Sequence, residues 1–176
     1  MEIRLAEDAD WAGIWPIWRD TVAAGDSYPW SPGTPEHEAR ATWMLPPPAE
    51  VLVAEDQGRI VATALLQPNK PGLGDHVANA GFMVDPSASG RGIGRRLAEA
   101  VLERARSTGY VAMQFNAVVA TNTAAVHVWR KHGFTVVGRI PDGFRHPELG
   151  FTDLLVMHRF LALTPSPAGT RPQPRR

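Results

Sequence analysis

Residues 79–106 read NAGFMVDPSASGRGIGRRLAEAVLERAR. The stretch is an apolar segment, an Asp-Pro stop, a glycine-rich turn and then a helix. Phe82-Met83-Val84 closes an apolar run of strand type, and Pro86, which lacks the N–H a ladder requires, cannot extend it. Gly90, Gly92 and Gly94 then leave a path free of β-carbons, and Ile93, Leu97, Val101 and Ala105 recur every four residues, as on one face of a helix. The first turn of such a helix has unpaired N–H groups and the positive end of the macrodipole. This is an anion site suited to a diphosphate, with Arg91, Arg95 or Arg96 adding charge.

Neither of two better-known phosphate loops fits. A dinucleotide fingerprint needs a third glycine where Arg95 stands, and no Gly-x-x-x-x-Gly-Lys-Ser/Thr run occurs. The chain of 176 residues suits one domain with a full core, expected over residues 1–162. Lys plus Arg and Asp plus Glu both number 18, so no global field directs it to nucleic acid or to a membrane surface. There is no cysteine, hence no disulfide framework, thiolate metal site or cysteine nucleophile. The six histidines are dispersed, and we expect no metal. With no apolar leader and no run long enough to span a bilayer, the chain reads as soluble and cytoplasmic.

Outward from residues 79–106, the pattern gives an edge strand at 2–6, then a helix capped by Asp8 or Asp10 that carries Trp11, Ile14, Trp15, Trp18 and Val22. Tryptophans at that spacing are core residues rather than a stacking platform. Gly25 to Trp30 is a loop, and a second helix follows with Thr34 as cap and Pro35 at its first position. Strands are expected at 51–55 and 59–66 around a hairpin turn, at 76–84, and at 110–118. The strand, helix, strand order around residues 79–118 implies a parallel pair with a right-handed crossover. Thr121 or Asn122 caps a helix to about His132, a strand runs over 134–140, Asp142-Gly143 marks a turn, and 151–160 is the last strand. Residues 163–176, rich in Pro and Arg, read as a disordered tail.

Ser89-Gly90-Arg91-Gly92-Ile93-Gly94 resembles the acyl-CoA diphosphate loop of the GNAT superfamily of N-acetyltransferases, Gln/Arg-x-x-Gly-x-Gly/Ala, with Ser in the first position. Asn122, Ala125, Val126, Val128, Lys131, Gly133 and Phe134 resemble that superfamily's second signature, at the expected distance from the first. The resemblance implies an α/β fold with a GNAT-like, mostly antiparallel central sheet, splayed between the two parallel strands and flanked by helices. It implies acetyl-CoA as cosubstrate, bound by Met83, Val84, Ser89, Gly90, Arg91, Gly92, Ile93, Gly94, Arg95 and Asn122, with a backbone N–H near Phe82 to Val84 polarising the thioester carbonyl. A homodimer is common among such proteins.

Trp129 stands where the superfamily often has a tyrosine that protonates the departing thiolate, and an indole cannot serve as that acid. Tyr28 is the tyrosine whose loop could reach the site, as acid or as wall. A narrower likeness, carried by Asn79-Ala80-Gly81-Phe82, Phe115-Asn116 and the loop Ala24 to Pro29, is to the branch containing N-acetyltransferases of azetidine-2-carboxylate and proline analogues. It implies Asn79, Asn116 and Tyr28 as substrate residues, and Asn122 at the reacting centre. The residues alone leave Asn79 and Asn116 open between ligand contacts and structural hydrogen bonds, and Asn122 open as a plain helix cap. His76, His127 and His146 are the imidazoles nearest the expected site. The leading expectation is acetyl transfer to the amine of a small molecule by direct attack. The alternatives are acetylation of a peptide or protein N-terminus or of a herbicide-like amino acid, and a non-catalytic acyl-CoA sensor.

Overall fold

The computed structural model describes residues 1–88 and 90–161. The expected tail and Ser89 lie outside the described residues. The order of elements is β1 (Glu2–Leu5), α1 (Trp11–Ala24), α2 (Glu36–Trp43), β2 (Glu50–Asp56), β3 (Arg59–Pro68), β4 (Val77–Val84), α3 (Ile93–Ser107), β5 (Ala112–Val119), α4 (Thr123–Lys131), β6 (Thr135–His146) and β7 (Gly150–Phe160). The seven strands form one sheet in the order β1-β2-β3-β4-β5-β7-β6. Every neighbouring pair is antiparallel except β4 and β5, which are joined through α3.

That parallel pair is short. Only Val77 with Ala112 and Ala78 with Met113 are in register. Beyond them β4 stays on β3 while β5 stays on β7, so the sheet splits at its centre, as expected for strands 76–84 and 110–118. On β5 the register against β7 shifts between Phe115 and Val118, a bulge that bends the strand and re-aims Asn116 and Ala117.

Two cores fill the faces of the sheet. On one, α3 buries Ile93, Leu97, Val101 and Ala105 against Leu66, Ala80, Met113, Phe115 and Met157. Each large apolar side chain so buried contributes about 1.5–3 kcal/mol. On the other, Trp11, Trp18 and Trp43 pack with Val53, Leu65 and Met83 under α1 and α2. Trp43 is wholly buried, and its indole N–H donates to the hydroxyl of Thr63 (3.0 Å), itself buried and donating to the Leu52 carbonyl (3.2 Å). Replacing Thr63 by Val keeps the shape but leaves that indole N–H without a partner, and urea denaturation should show a loss of about 1–3 kcal/mol.

Of three local expectations, one holds in part and two are corrected. Asp10 holds the N-cap position of α1, as expected, but its side chain makes no cap bond there: the carboxylate takes the Arg4 guanidinium and the Glu7 N–H. Helix α2 starts at Glu36 with Pro35 as its cap residue, while the Thr34 hydroxyl donates back to the Ser31 carbonyl. Asp142-Gly143 is not a turn but a bulge inside β6. Asp142 takes a positive φ of 51° while its N–H is held by the Asp153 carboxylate, so the strand continues to His146 and the reversal comes at 147–149.

Candidate active site

The glycine loop sits where β4 hands over to α3. Gly90 and Gly92 have φ of 77° and 73°, the left-handed region that favours glycine, and a β-carbon on either would meet nothing within 4 Å. The loop is thus an open concavity, with Gly92 as cap residue of α3. The first helical hydrogen bond runs from Arg96 N–H to the Gly92 carbonyl (3.1 Å), so the N–H groups of Ile93, Gly94 and Arg95 have no partner within the helix. The Ile93 side chain is buried and anchors the turn. Arg95 pairs with Glu99 one turn on, and Arg91 with Asp56 at the β2–β3 turn (2.6 Å). The Arg91 guanidinium is the main cause that holds the Asp56 carboxyl below its usual range. These residues fit a diphosphate: backbone donors at the bottom, guanidinium groups at the rim.

From this cradle the split runs back along β4. Successive strand residues turn their N–H groups to opposite edges. The Asp85 N–H donates to Val61 of β3 (2.9 Å), so Asp85 and Met83 face β3, while Phe82 and Val84 face the split. Met83 and Val84 therefore differ. The Met83 backbone lies in register with Thr63 and its side chain is 1% exposed in the core, so of the two strand residues expected against the cosubstrate, Val84 is the one on the split.

The N–H of Phe82 is engaged. It donates to the Tyr28 hydroxyl at 2.7 Å, and the same hydroxyl donates to the Phe82 carbonyl at 2.9 Å. Tyr28 comes this close because Gly81 lies beneath it; a β-carbon there would stand 3.2 Å from the hydroxyl oxygen. Desolvation raises the Tyr28 hydroxyl well above the usual tyrosine value, only partly offset by the hydrogen bond to Phe82. Its proton is engaged by the Phe82 carbonyl.

A cavity of about 290 Å³ occupies the split, walled by Tyr28, Trp30, Trp43, Phe82, Phe115 and Trp129. Polar side chains on its wall are those of Ser27, Thr42, Gln67, Asn79, Asn116 and Asn122, besides the Tyr28 hydroxyl, and no charged side chain lines it among the described residues. Asn79 stands one residue past the last parallel pair and donates to the Gln114 carbonyl across the split (2.9 Å). Asn116, exposed on the bulge, donates to Asn69 Oδ1 (2.6 Å) and accepts from Gln114 Nε2 (2.8 Å). A carboxamide nitrogen has two N–H donors, so Asn79 and Asn116 each keep one for a ligand. Asn122 is both cap and wall: its Oδ1 accepts from Ala125 N–H (3.0 Å) and its Nδ2 donates to Ser27 Oγ (3.3 Å), tying the 25–33 loop across the split. Trp129 packs on Phe82 and Phe115, with ring centroids 4.8 and 4.5 Å away.

The structure thus brings Tyr28, Asn79, Asn116 and Asn122 to one cavity, while the loop residues 90–95, at the head of α3, are not among those that line it. None of His76, His127 and His146 lines the cavity, so no imidazole is poised there as a base. Gln67, Asn69, Gln114, Trp30 and Trp43 were not singled out from the sequence. Gln67 and Asn69 carried one signal: they end an apolar strand whose antiparallel register sets Gln67 opposite Asn79.

A glycine turn with free N–H donors at the head of α3, following a strand that splits from its parallel neighbour, is the architecture of an acyltransferase. The profile of the Acetyltransferase (GNAT) family matches residues 14–134, and the chain belongs to that family. It is 45% identical to a GCN5-related N-acetyltransferase from Kribbella flavida, whose structure superposes with a TM-score of 0.87 over 91% of this chain and 97% of that one. The structure of yncA, a putative acetyltransferase from Salmonella typhimurium with its cofactor acetyl-CoA, is 25% identical and has a TM-score of 0.78 over 97% and 99% of the two chains. Among curated proteins, N-acetyltransferase aca1 of Schizosaccharomyces pombe is 42% identical over 80 residues, 46% of this chain and 38% of the yeast protein's own length. The L-methionine sulfoximine/L-methionine sulfone acetyltransferase of Salmonella typhimurium is 29% identical over 81% of this chain and 84% of its own.

Proposed function

We propose that this protein transfers the acetyl group of acetyl-CoA to the amine of a small molecule with an uncharged body, such as a small amino acid or a proline analogue. The observation that carries this reading is the cavity in the split, built from aromatic faces and carboxamides with no charged side chain among the described residues. Among the described residues its wall offers neither a cation for an acidic side chain nor an anion for a basic one. A second charge would enter unpaired, at a cost of several kcal/mol. The single carboxylate of an amino acid is different. The remaining N–H groups of Asn79 and Asn116 can hold it, each by a charge-assisted hydrogen bond worth about 1.5–3 kcal/mol. Kinship with an acetyltransferase of methionine sulfoximine and sulfone supports the amino-acid class.

Acetyl-CoA supplies an activated thioester and a stable thiolate leaving group. The loop 90–95 would hold its diphosphate, and the Phe82 N–H, turned to the split, would stabilise charge developing on the carbonyl oxygen. The aromatic walls exclude water and hold the neutral amine against the carbonyl for direct attack. With no imidazole or carboxylate in the wall, the amine's proton leaves through water at the open mouth.

The test is release of free thiol from acetyl-CoA across a panel of amines. Azetidine-2-carboxylate, proline analogues and small neutral amino acids should give amine-dependent release at least tenfold above glutamate, lysine and short peptides. Acetylation of peptides with no activity on small amino acids would overturn the substrate class. Tight acetyl-CoA binding without release on any amine would make the protein a sensor.

A further inference from the structure

We propose that the Tyr28 hydroxyl is a placeholder for the acyl group: it occupies the N–H and the carbonyl of Phe82 on the edge of the split, and acetyl-CoA must displace it to bind productively. The inference rests on the acetyl-CoA reading above and adds to it a residue that sets cosubstrate affinity.

Three observations converge. The hydroxyl accepts from Phe82 N–H at 2.7 Å and donates to Phe82 C=O at 2.9 Å, so it satisfies both backbone groups that this residue offers to the split. One N–H makes one strong, well-aligned bond, so an acyl oxygen cannot take it while the hydroxyl is there. The segment carrying Tyr28 holds two aromatic rings stacked between glycines of positive φ. Gly25 and Gly33, with φ of 69° and 93°, bracket it, and Tyr28 stacks on Trp30 at 4.9 Å with their planes 4° apart. Finally, Asn122 Nδ2 donates to Ser27 Oγ (3.3 Å), which tethers the closed segment to α4 on the far side of the split. Tyr28 and Trp30 both wall the cavity, so the swing that admits the acyl group also reshapes the acceptor side.

The experiment is equilibrium binding of acetyl-CoA and of 3′,5′-ADP to the wild-type chain and to Tyr28→Phe. Wild-type binding breaks two plug hydrogen bonds that the variant lacks, so the variant should bind acetyl-CoA roughly thirtyfold more tightly, a difference of about 2 kcal/mol. The nucleotide fragment, which stops short of the split, should bind both proteins equally. Ser27→Ala keeps the hydroxyl but cuts the tether, and should give a gain of about two- to threefold, an independent check should Tyr28→Phe fold poorly. Unchanged or weaker acetyl-CoA binding by Tyr28→Phe overturns the placeholder, as does an equal gain for 3′,5′-ADP. If the wild-type chain binds no acetyl-CoA, the functional reading falls and the placeholder with it; if it binds and Tyr28→Phe shows no gain, only the placeholder falls.

Discussion

Gly92→Val should raise the dissociation constant for acetyl-CoA by a hundredfold or more while lowering the melting temperature by only several degrees. The two effects have separate causes. Gly92 holds φ at 73°, and a β-branched residue in that region is strained by about 1–3 kcal/mol, which for a chain of this size shifts the melting temperature by roughly 3–10 °C. Packing adds nothing to that cost, because a β-carbon at Gly92 meets no atom within 4 Å. The open space is the point. It lies over the N–H groups of Ile93, Gly94 and Arg95, the donors a diphosphate would need at hydrogen-bond distance, and two methyl groups there hold the anion off. Losing two charge-assisted bonds of about 1.5–3 kcal/mol each amounts to a factor of about 10² to 10⁴. Isothermal titration on the folded variant reads this directly. Gly92→Ala, with the same dihedral strain and less bulk, should lie between. Affinity that stays at the wild-type level in Gly92→Val would remove the diphosphate from this loop.

The same loop shows why part of the molecule was legible in its sequence. Asp85-Pro86 and the run Gly90 to Gly94 are local signals whose physics acts within a few residues, so strand end, turn and helix start follow from them, and the right-handed crossover then fixes β5 beside β4. Tyr28 and Asn116 are different. Each was reached from the sequence by resemblance, yet the direction of each side chain is set by partners far away in the chain. Tyr28 meets Phe82 across 54 residues, and Asn116 meets Asn69 across 47. Trp30 and Trp43 carried no local mark of a site, because a loop or helical tryptophan serves a core equally well until the fold sets it on the cavity, and Gln114 enters only through its bonds to Asn79 and Asn116. Asp142-Gly143 failed for a related reason. The pair suits a turn in isolation, but the Asp153 carboxylate on β7 captures the Asp142 N–H and keeps it within the strand.

Asn116→Ala should lower kcat/KM for small amino acids by about ten- to a hundredfold and leave acetyl-CoA affinity within about twofold of wild type. Asn116 is exposed on the bulge of β5, so its removal buries no unsatisfied group: Asn69 and Gln114 exchange its hydrogen bonds for water, and stability should stay within about 0.5 kcal/mol. The loss falls on the N–H that Asn116 keeps free for a carboxylate, worth about 1.5–3 kcal/mol. Equal losses in amine turnover and in acetyl-CoA binding would make Asn116 a brace of the split rather than a substrate contact. Asn116→Asp sharpens the distinction, because it keeps the shape and replaces the donor by a negative charge. Toward azetidine-2-carboxylate the Asp variant should be worse than the Ala variant, since two carboxylates then face each other in a wall that offers no cation among the described residues. Toward an amine of the same body without the carboxylate, both variants should behave like wild type. A ratio of the two substrates that does not change across wild type, Ala and Asp would mean that the carboxylate is held elsewhere in the cavity, where Asn79 and Gln67 are among the polar groups able to hold it.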